Sequence, residues 1–262
     1  MSGNNVHAET VRIANCGGGS YSDAAGSEPI RCASLEKLIH CLNGRVLQPE
    51  VLDTLPPEQA RANLAELVII NRHWGGRTAL RKLLDQAIPV NESFTLLDVG
   101  AASGDMGTYI RELRPGARVV SLDYLPSHLE TCPGERIAAD AFSLPFAPGS
   151  FDYVFSSLFL HHFPNDGVAE LFRAFGGIAR RAVLTIDLLR SPIPYYFMAS
   201  AGRMFGWDGV TIQDGMISVE AAFRPEELEA LARKAGLAQP RWFTVWPGYR
   251  IGMWAGTNAS AA

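Results

Sequence analysis

Three aspartates in this chain stand where apolar runs end, and small residues follow the first of them. In "LLDVGAASGD", residues 96–105, Asp98 is followed by Gly100, Ala102 and Gly104. Small residues let a backbone turn sharply and approach a ligand closely. A dinucleotide loop spaces its glycines as GxGxxG, but positions 100, 102 and 105 here hold Gly, Ala and Asp. The stretch fits acidic-x-Gly-x-Gly-x-Gly better, with Ala102 in place of the central glycine. Asp123 ends "RVVSLDY", and a carboxylate there can accept hydrogen bonds from both ribose hydroxyls. In "AADAF", Asp140 can accept from an adenine amino group while Phe142 covers the ring. A fourth run ends in "SSLFLHHFP", where His161 and His162 could exchange a proton near neutral pH.

These residues must be held by strands that alternate with helices. "FTLLDVG", "RVVSLDY", "RIAADAF", "FDYVFSSLFL" and "RAVLTIDLL" read as strands. "GDMGTYIRELRPG", a short "HLETC" and "DGVAELFRAFGGIAR" read as the helices between them. "FRPEELEALARKAG" is a helix with Pro225 near its start and Gly236 as its stop. "RWFTVW" and "RIGMWAG", joined by "PGY", are two closing strands. The expected fold is α/β: a doubly wound, mostly parallel, seven-stranded Rossmann-like sheet with an antiparallel strand at its edge. In such a sheet the ligand lies beyond the carboxyl ends of the strands, which is where all four clusters fall.

Ahead of the sheet, residues 1–30 are rich in Gly, Ser and Ala without an apolar period and read as a flexible leader. Gly17, Gly18 and Gly19 have no strand before them and no Lys-Ser/Thr after, so they make no P-loop. Residues 31–90 read as a helical cap: one helix carries Leu35, Leu38, Ile39 and Leu42 on one face, and two more span "PPEQARANLAELVIINRHW" and "RTALRKLLDQAI". Residues 91–262 are the expected ligand-binding domain.

Composition excludes several classes. A net charge of −4 argues against a nucleic-acid surface. No apolar run reaches the ~20 residues of a membrane span, and no secretory signal is visible, so a cytoplasmic protein is expected. Cys16, Cys32, Cys41 and Cys132 form no CxxC pair and read as free thiols. Adjacent histidines without further ligands at metal spacing predict no metal site.

Taken together, "LLDVGAASGD", "VVSLDY", "AADAFSLPFAPGSFDYVFSSLFLHHF" and "VLTIDLLRSP" resemble a class I S-adenosylmethionine-dependent methyltransferase, across residues 92–188. Within that superfamily the chain is similar to the small-molecule branch that includes the quinone-biosynthesis methyltransferases. "NRHWGG" and "LRSPIPYYF" resemble bacterial members, some associated with polyketide pathways and other secondary metabolism. The resemblance implies S-adenosylmethionine as cofactor. It implies that Gly100, Ala101, Ala102 and Gly104 line its methionine part and that Asp98 orients its amino group. Asp123 would hold the ribose, with Tyr124 flanking the adenine. Asp140, Ala141 and Phe142 would meet the base, and Ser157 and Leu158 the sulfonium.

Methyl transfer from a sulfonium is an in-line displacement, so alignment of the reactants carries much of the barrier. A hydroxyl acceptor also needs a base, for which His161 and His162 are the candidates. "SPIPYYFMASAGRMFGW" carries Tyr195, Tyr196 and Met198 and would shape an apolar acceptor pocket, while Asn71 and Arg72 could reach over the cofactor. The expected acceptor is a small hydrophobic or aromatic molecule, methylated on oxygen before carbon, and no nucleic acid. Two alternatives remain at this point: an NAD(P)-dependent oxidoreductase, and a non-catalytic module that kept the fold.

Overall fold

The computed structural model describes residues 44–51, 57–246 and 249–257. Helices α1 (Pro57–His73) and α2 (Gly76–Ala87) precede the first strand. Strands β1 (Phe94–Val99), β2 (Ala117–Asp123), β3 (Glu135–Ala138), β4 (Phe151–Ser157) and β5 (Ala179–Leu188) follow, with α3 (Asp105–Leu113) after β1 and α4 (Asn165–Ile178) after β4. Then come α5 (Pro192–Met204), α6 (Gly209–Ala221), α7 (Pro225–Lys234), β6 (Ala238–Val245) and β7 (Arg250–Gly256). They form one seven-stranded sheet in the order β3-β2-β1-β4-β5-β7-β6. The chain runs outward from β1 to β3, then returns to start again at β4. The crevice where that reversal occurs opens beyond the carboxyl ends of β1 and β4.

Alternation along each strand gives the sheet two buried faces. On one, Leu97, Val99, Val154 and Val183 pack with Phe172 and Phe175 of α4 and Leu228 of α7. On the other, Leu96, Phe155, Leu184 and Ile186 pack with Leu80, Leu83 and Leu84 of α2 and Met106 and Ile110 of α3. Each such side chain contributes about 1.5–3 kcal/mol on burial. Helix α2 therefore shares one core with the sheet.

The structure departs from the sequence reading at three places. The antiparallel strand is β7, and it lies between β5 and β6 rather than at the edge. The closing hairpin folds its second strand inward onto β5, leaving β6 outermost. "HLETC" forms turns, not a helix: His128, Leu129 and Cys132 each donate only to the carbonyl three residues back. Pro126 and Pro133 bracket the segment and leave no room for a longer ladder. Residues 209–221 form α6 although their apolar positions are not segregated, because the helix buries Thr211, Asp214 and Ser218 alongside Ile212 and Val219. The expected leader, the helix over Leu35–Leu42, and Cys16, Cys32 and Cys41 lie outside the described residues. Cys132 is a buried free thiol. No described helix is long and apolar enough to cross a membrane.

Candidate functional site

The loop after β1 is built on left-handed backbone. Gly100, Ala102 and Gly104 have φ of 71°, 46° and 70°. A Cβ at Gly100 would stand 2.5 Å from Cδ2 of Phe159, so only glycine fits there. Ala102 takes the same kind of conformation at a cost that glycine avoids. The amides of Gly100 and Ala101 donate to the Leu122 carbonyl at 2.9 and 3.0 Å. That of Ala102 donates to Asp123 Oδ2 at 3.0 Å. Gly104 then caps α3, whose free N–H groups give the loop a positive potential.

A cavity of about 540 Å3, its open mouth included, lies between this loop, the end of β4 and helix α1. Asp98, Gly100, Ala101 and Ala102 line it, with Ser157 and Leu158 opposite. Asn71 joins them from α1, so this residue, expected over the cofactor, faces the same cavity as the loop. Ser103, Asp105 and Met106, and Leu67 and Val68 of α1, complete the lining.

Asp98 Oδ2, Asp105 Oδ2, Asn71 Oδ1 and Ser157 Oγ are buried and without a hydrogen-bond partner among the described residues. Buried polar atoms are rarely left so, and each costs about 1–3 kcal/mol until it is met. Burial pushes the Asp98 carboxyl up to about 7, with the charges of Asp105 and Asp123 adding to it and Arg111 opposing. Burial likewise raises Asp105. Asp105 stands where a dinucleotide loop would have its third glycine, and that misfit was its only signal in the sequence.

The other expected cofactor residues are not among those that line the cavity. Asp123 accepts from the Leu125 amide at 3.0 Å as well as from Ala102. Asp140 accepts from the Phe142 amide at 2.9 Å, which fixes the turn after β3. Ala141 is buried, while Tyr124 and Phe142 are exposed aromatics flanking the two aspartates. Phe142 packs edge-on against Phe163.

The paired histidines have different settings. His161 is buried, and its Nδ1 lies 2.6 Å from Asp187 Oδ1. Its Nε2 lies 3.6 Å from Glu50 Oε1. Burial would depress its pKa, but the two carboxylates outweigh that and raise it to about 9. Glu50, also bonded to Ser218, is held at about 2 against its own burial, chiefly by His161. Asp187 sits below the usual carboxylate range for the same reason. Arg45 clamps the turn, donating to the carbonyls of His161 at 3.1 Å and Phe163 at 2.9 Å. His162 is exposed, and its ring lies 4.3 Å from that of His161. Glu50 and Arg45 precede the histidines by more than a hundred residues, and nothing local in the sequence marks them.

An aromatic cluster covers the same end of the molecule. Trp74, after α1, packs on Phe197 of α5 at 4.5 Å and on Phe205 at 5.1 Å. Phe197 in turn stacks on Tyr249 at 4.7 Å. Of the residues expected to shape an acceptor pocket, Tyr195 is buried, Tyr196 is exposed, and Met198 packs beneath Gly215 of α6. Arg72 is exposed and lies outside the cavity lining.

Comparison with known proteins agrees with this geometry. Residues 97–180 match a family described as a methyltransferase domain. The demethylmenaquinone methyltransferase of Thermus thermophilus is 28% identical over 166 residues, 55% of this chain and 74% of that protein. Among solved structures, a SAM-dependent methyltransferase from Aquifex aeolicus superposes with a TM-score of 0.52 at 16% identity, over 68% of this chain and 88% of that one. Human N-acetylserotonin methyltransferase in complex with SAM gives 0.52 at 16% identity, over 85% of this chain and 66% of that one. A Nostoc punctiforme structure assigned provisionally as an O-methyltransferase gives 0.52 at 18% identity over 72% of this chain, which spans 60% of its length. The family match opens at Leu97, one residue before Asp98. Residues 97–180 thus match a methyltransferase domain, and the solved structures share the fold of this sheet.

Proposed function

We propose that this enzyme methylates a small hydrophobic or aromatic acceptor, on oxygen before carbon. The observation that carries the reading is the aromatic cluster of Trp74, Phe197, Phe205 and Tyr249, which begins three residues after the cavity residue Asn71 and offers apolar surface suited to a flat molecule. The names of the Thermus and human proteins, a demethylmenaquinone methyltransferase and an N-acetylserotonin methyltransferase, support an aromatic acceptor. A role in secondary metabolism belongs to the same proposal.

When bound, S-adenosylmethionine supplies a methyl group on a positively charged sulfur. The residues of this chain hold and align it. Asp98 and Asn71 take the amino end, Asp123 the ribose, and Tyr124, Asp140, Ala141 and Phe142 the base. Ser157 and Leu158 stand at the sulfonium. His162 is the base in this reading, because it is exposed and His161 is held protonated between two carboxylates. Desolvation of its ring, with the charge of the adjacent His161, lowers the His162 pKa to about 4 and favours its neutral, proton-accepting form.

The sheet order argues against a dinucleotide oxidoreductase. Such sheets run 3-2-1-4-5-6 in parallel, whereas an antiparallel β7 is inserted here between β5 and β6. The test is titration with S-adenosylhomocysteine and with NADH, followed by transfer of labelled methyl to a panel of phenols and hydroxyquinones, with the product's methyl position assigned by NMR. O-methylated product is expected. Binding of NADH alone overturns the reading, and cofactor binding without transfer to any member favours a non-catalytic module.

A further inference from the structure

Residues 44–51 precede every strand of the sheet, yet they lie against the histidine turn and helix α6. Val46 donates to the Glu220 carbonyl at 3.0 Å and Val51 to Asp214 Oδ1 at 2.8 Å, so the segment is laid along α6. Glu50 is bonded to Ser218 of the same helix. From one end of this strap the half-buried Arg45 reaches residues 116 to 176 positions away. Its Nε donates to the Ala221 carbonyl at 2.6 Å and its Nη1 to Asn165 Oδ1 at 2.7 Å. Its Nη2 donates to the carbonyls of both His161 and Phe163. The guanidinium lies 3.9 Å over the ring of Phe223. All four acceptors are neutral amide oxygens, so the planar fork is used for its geometry and not to pair a charge.

The turn that Arg45 grips needs such a hold. Leu160–His162 form a single 3-10 turn. Its own bonds are long, 3.3 Å from the His162 amide to the Phe159 carbonyl and 3.2 Å from Phe163 to Leu160. Leu158, where β4 runs into it, has a φ of 51°. Left-handed backbone costs a leucine about 1–2 kcal/mol and persists only where its surroundings fix it. The carbonyls of His161 and Phe163 stand at the end of the turn, where a helix leaves its acceptors unmet. They flank His162 on either side. By taking both, Arg45 pins the backbone before and after that residue, and with it the direction in which the ring leaves the chain. The ring itself hydrogen-bonds the backbone of Leu158, which lines the cofactor cavity.

We infer that Arg45 is a positioning residue for methyl transfer: it touches neither cofactor nor acceptor, and it aims His162 at the acceptor's hydroxyl by holding the carbonyls of His161 and Phe163. The strap over residues 44–51, which lies outside the residues that match the methyltransferase domain, thereby completes the site. Alignment is what this reaction asks of the protein, and a displacement of about 1 Å can cost about 100-fold in rate. The inference rests on the reading of His162 as the base.

The experiment measures transfer of labelled methyl from S-adenosylmethionine by the intact protein to 4-methylphenol, 4-chlorophenol, 4-nitrophenol and pentafluorophenol at pH 8. Wild type is compared with Arg45→Met, Arg45→Lys, His162→Asn and the double variant Arg45→Met with His162→Asn. Arg45→Met keeps the length and apolar body of the side chain and removes its donors. It should lower kcat about 10–100-fold with 4-methylphenol, with KM and S-adenosylhomocysteine affinity within about threefold of wild type. The loss should shrink toward the acidic end of the series, where the acceptor arrives ionised and needs no base. Arg45→Lys keeps the charge without the fork and should recover part of the loss. The double variant should be no slower than His162→Asn alone, because a base that is gone cannot be misplaced. A merely structural Arg45 would slow all four phenols alike and multiply with His162→Asn. Either result overturns the inference, as does an unchanged kcat or a loss of S-adenosylhomocysteine affinity in Arg45→Met. Should Arg45→Met not fold, Arg45→Lys carries the same comparison. Wild type that transfers to none of the phenols, or a His162→Asn as fast as wild type, overturns the reading beneath and the inference with it.

Discussion

The amide of Ala102 donates to Asp123 Oδ2 at 3.0 Å, so the carboxylate at the end of β2 holds the loop at the end of β1. Asp123 also accepts from Leu125 and lies 3.3 Å from His128 Nδ1. One side chain thus joins the loop after β1 to the turn after β2. Asp123→Ala should lower S-adenosylhomocysteine affinity at least about 100-fold, since it removes charged acceptors for the ribose and the anchor of the loop together. Asp123→Asn keeps one acceptor oxygen and should fall between. Calorimetric titration measures both, and an affinity within threefold of wild type in Asp123→Ala would show that the ribose lies elsewhere.

Ala102 carries a side chain in a conformation that suits glycine, with φ of 46°. Left-handed backbone costs an alanine about 1–2 kcal/mol, and glycine's freer unfolded chain returns about 0.4–1 kcal/mol of the gain. Ala102→Gly should therefore leave stability equal or raise it by about 1 kcal/mol. The amide that bonds Asp123 remains, so cofactor affinity should be equal or better. Thermal melts and titration check the two, and a large loss of affinity would mean that the methyl group itself contacts the ligand.

Much of this site is legible in the sequence because its parts are local. Asp98, Gly100 and Gly104 sit within one strand-turn-helix, and the acids at 123 and 140 follow the ends of their strands. Asn71 could be singled out, but not its place: only packing of α1 over β1 puts it beside Asp98 and Asp105. Glu50 and Asp187 meet at His161 from distant parts of the chain, and no periodicity encodes such a meeting. The inward turn of β7 against β5 is a choice of hairpin direction that the strand pattern leaves open.

Asp98 should make cofactor affinity depend on pH. Its folded value is raised to about 7, against an ordinary value of 3.8. Below pH 7 the carboxyl is protonated in the free enzyme and must ionise to receive an ammonium group. Affinity for S-adenosylhomocysteine should fall up to about tenfold per pH unit below 7 and level off above it. For stability the sign is opposite: an acid whose folded pKa is raised costs stability as pH climbs from 3.8 to 7. Asp98→Asn should thus be more stable than wild type at pH 8, bind the cofactor weakly, and show a flat pH profile. A wild-type affinity that does not change between pH 5.5 and 8 would remove Asp98 from the amino-binding role.

His162 and His161 separate by kinetics. His162→Asn should lower kcat about 100–10,000-fold with an O–H acceptor, the usual range for a lost general base, with S-adenosylhomocysteine affinity unchanged. The residual rate should rise with pH as the acceptor ionises by itself. An unchanged kcat would mean that the acceptor needs no base, or that another group supplies it.

His161 is a structural charge in this arrangement, and its signature is in stability. Its folded pKa of about 9 exceeds the ordinary 6.5, so its contribution is complete below pH 6.5 and is lost as pH rises through 9. His161→Gln leaves Glu50 and Asp187 buried without their shared cation, which should cost about 3–5 kcal/mol at pH 6, or a Tm lower by roughly 6–20 °C. At pH 9.5 the difference between variant and wild type should shrink. The double variant His161→Gln with Asp187→Asn removes one of the stranded charges and should recover part of the loss. A Tm difference that stays constant from pH 6 to 9.5 would show that His161 contributes through packing and not through its charge.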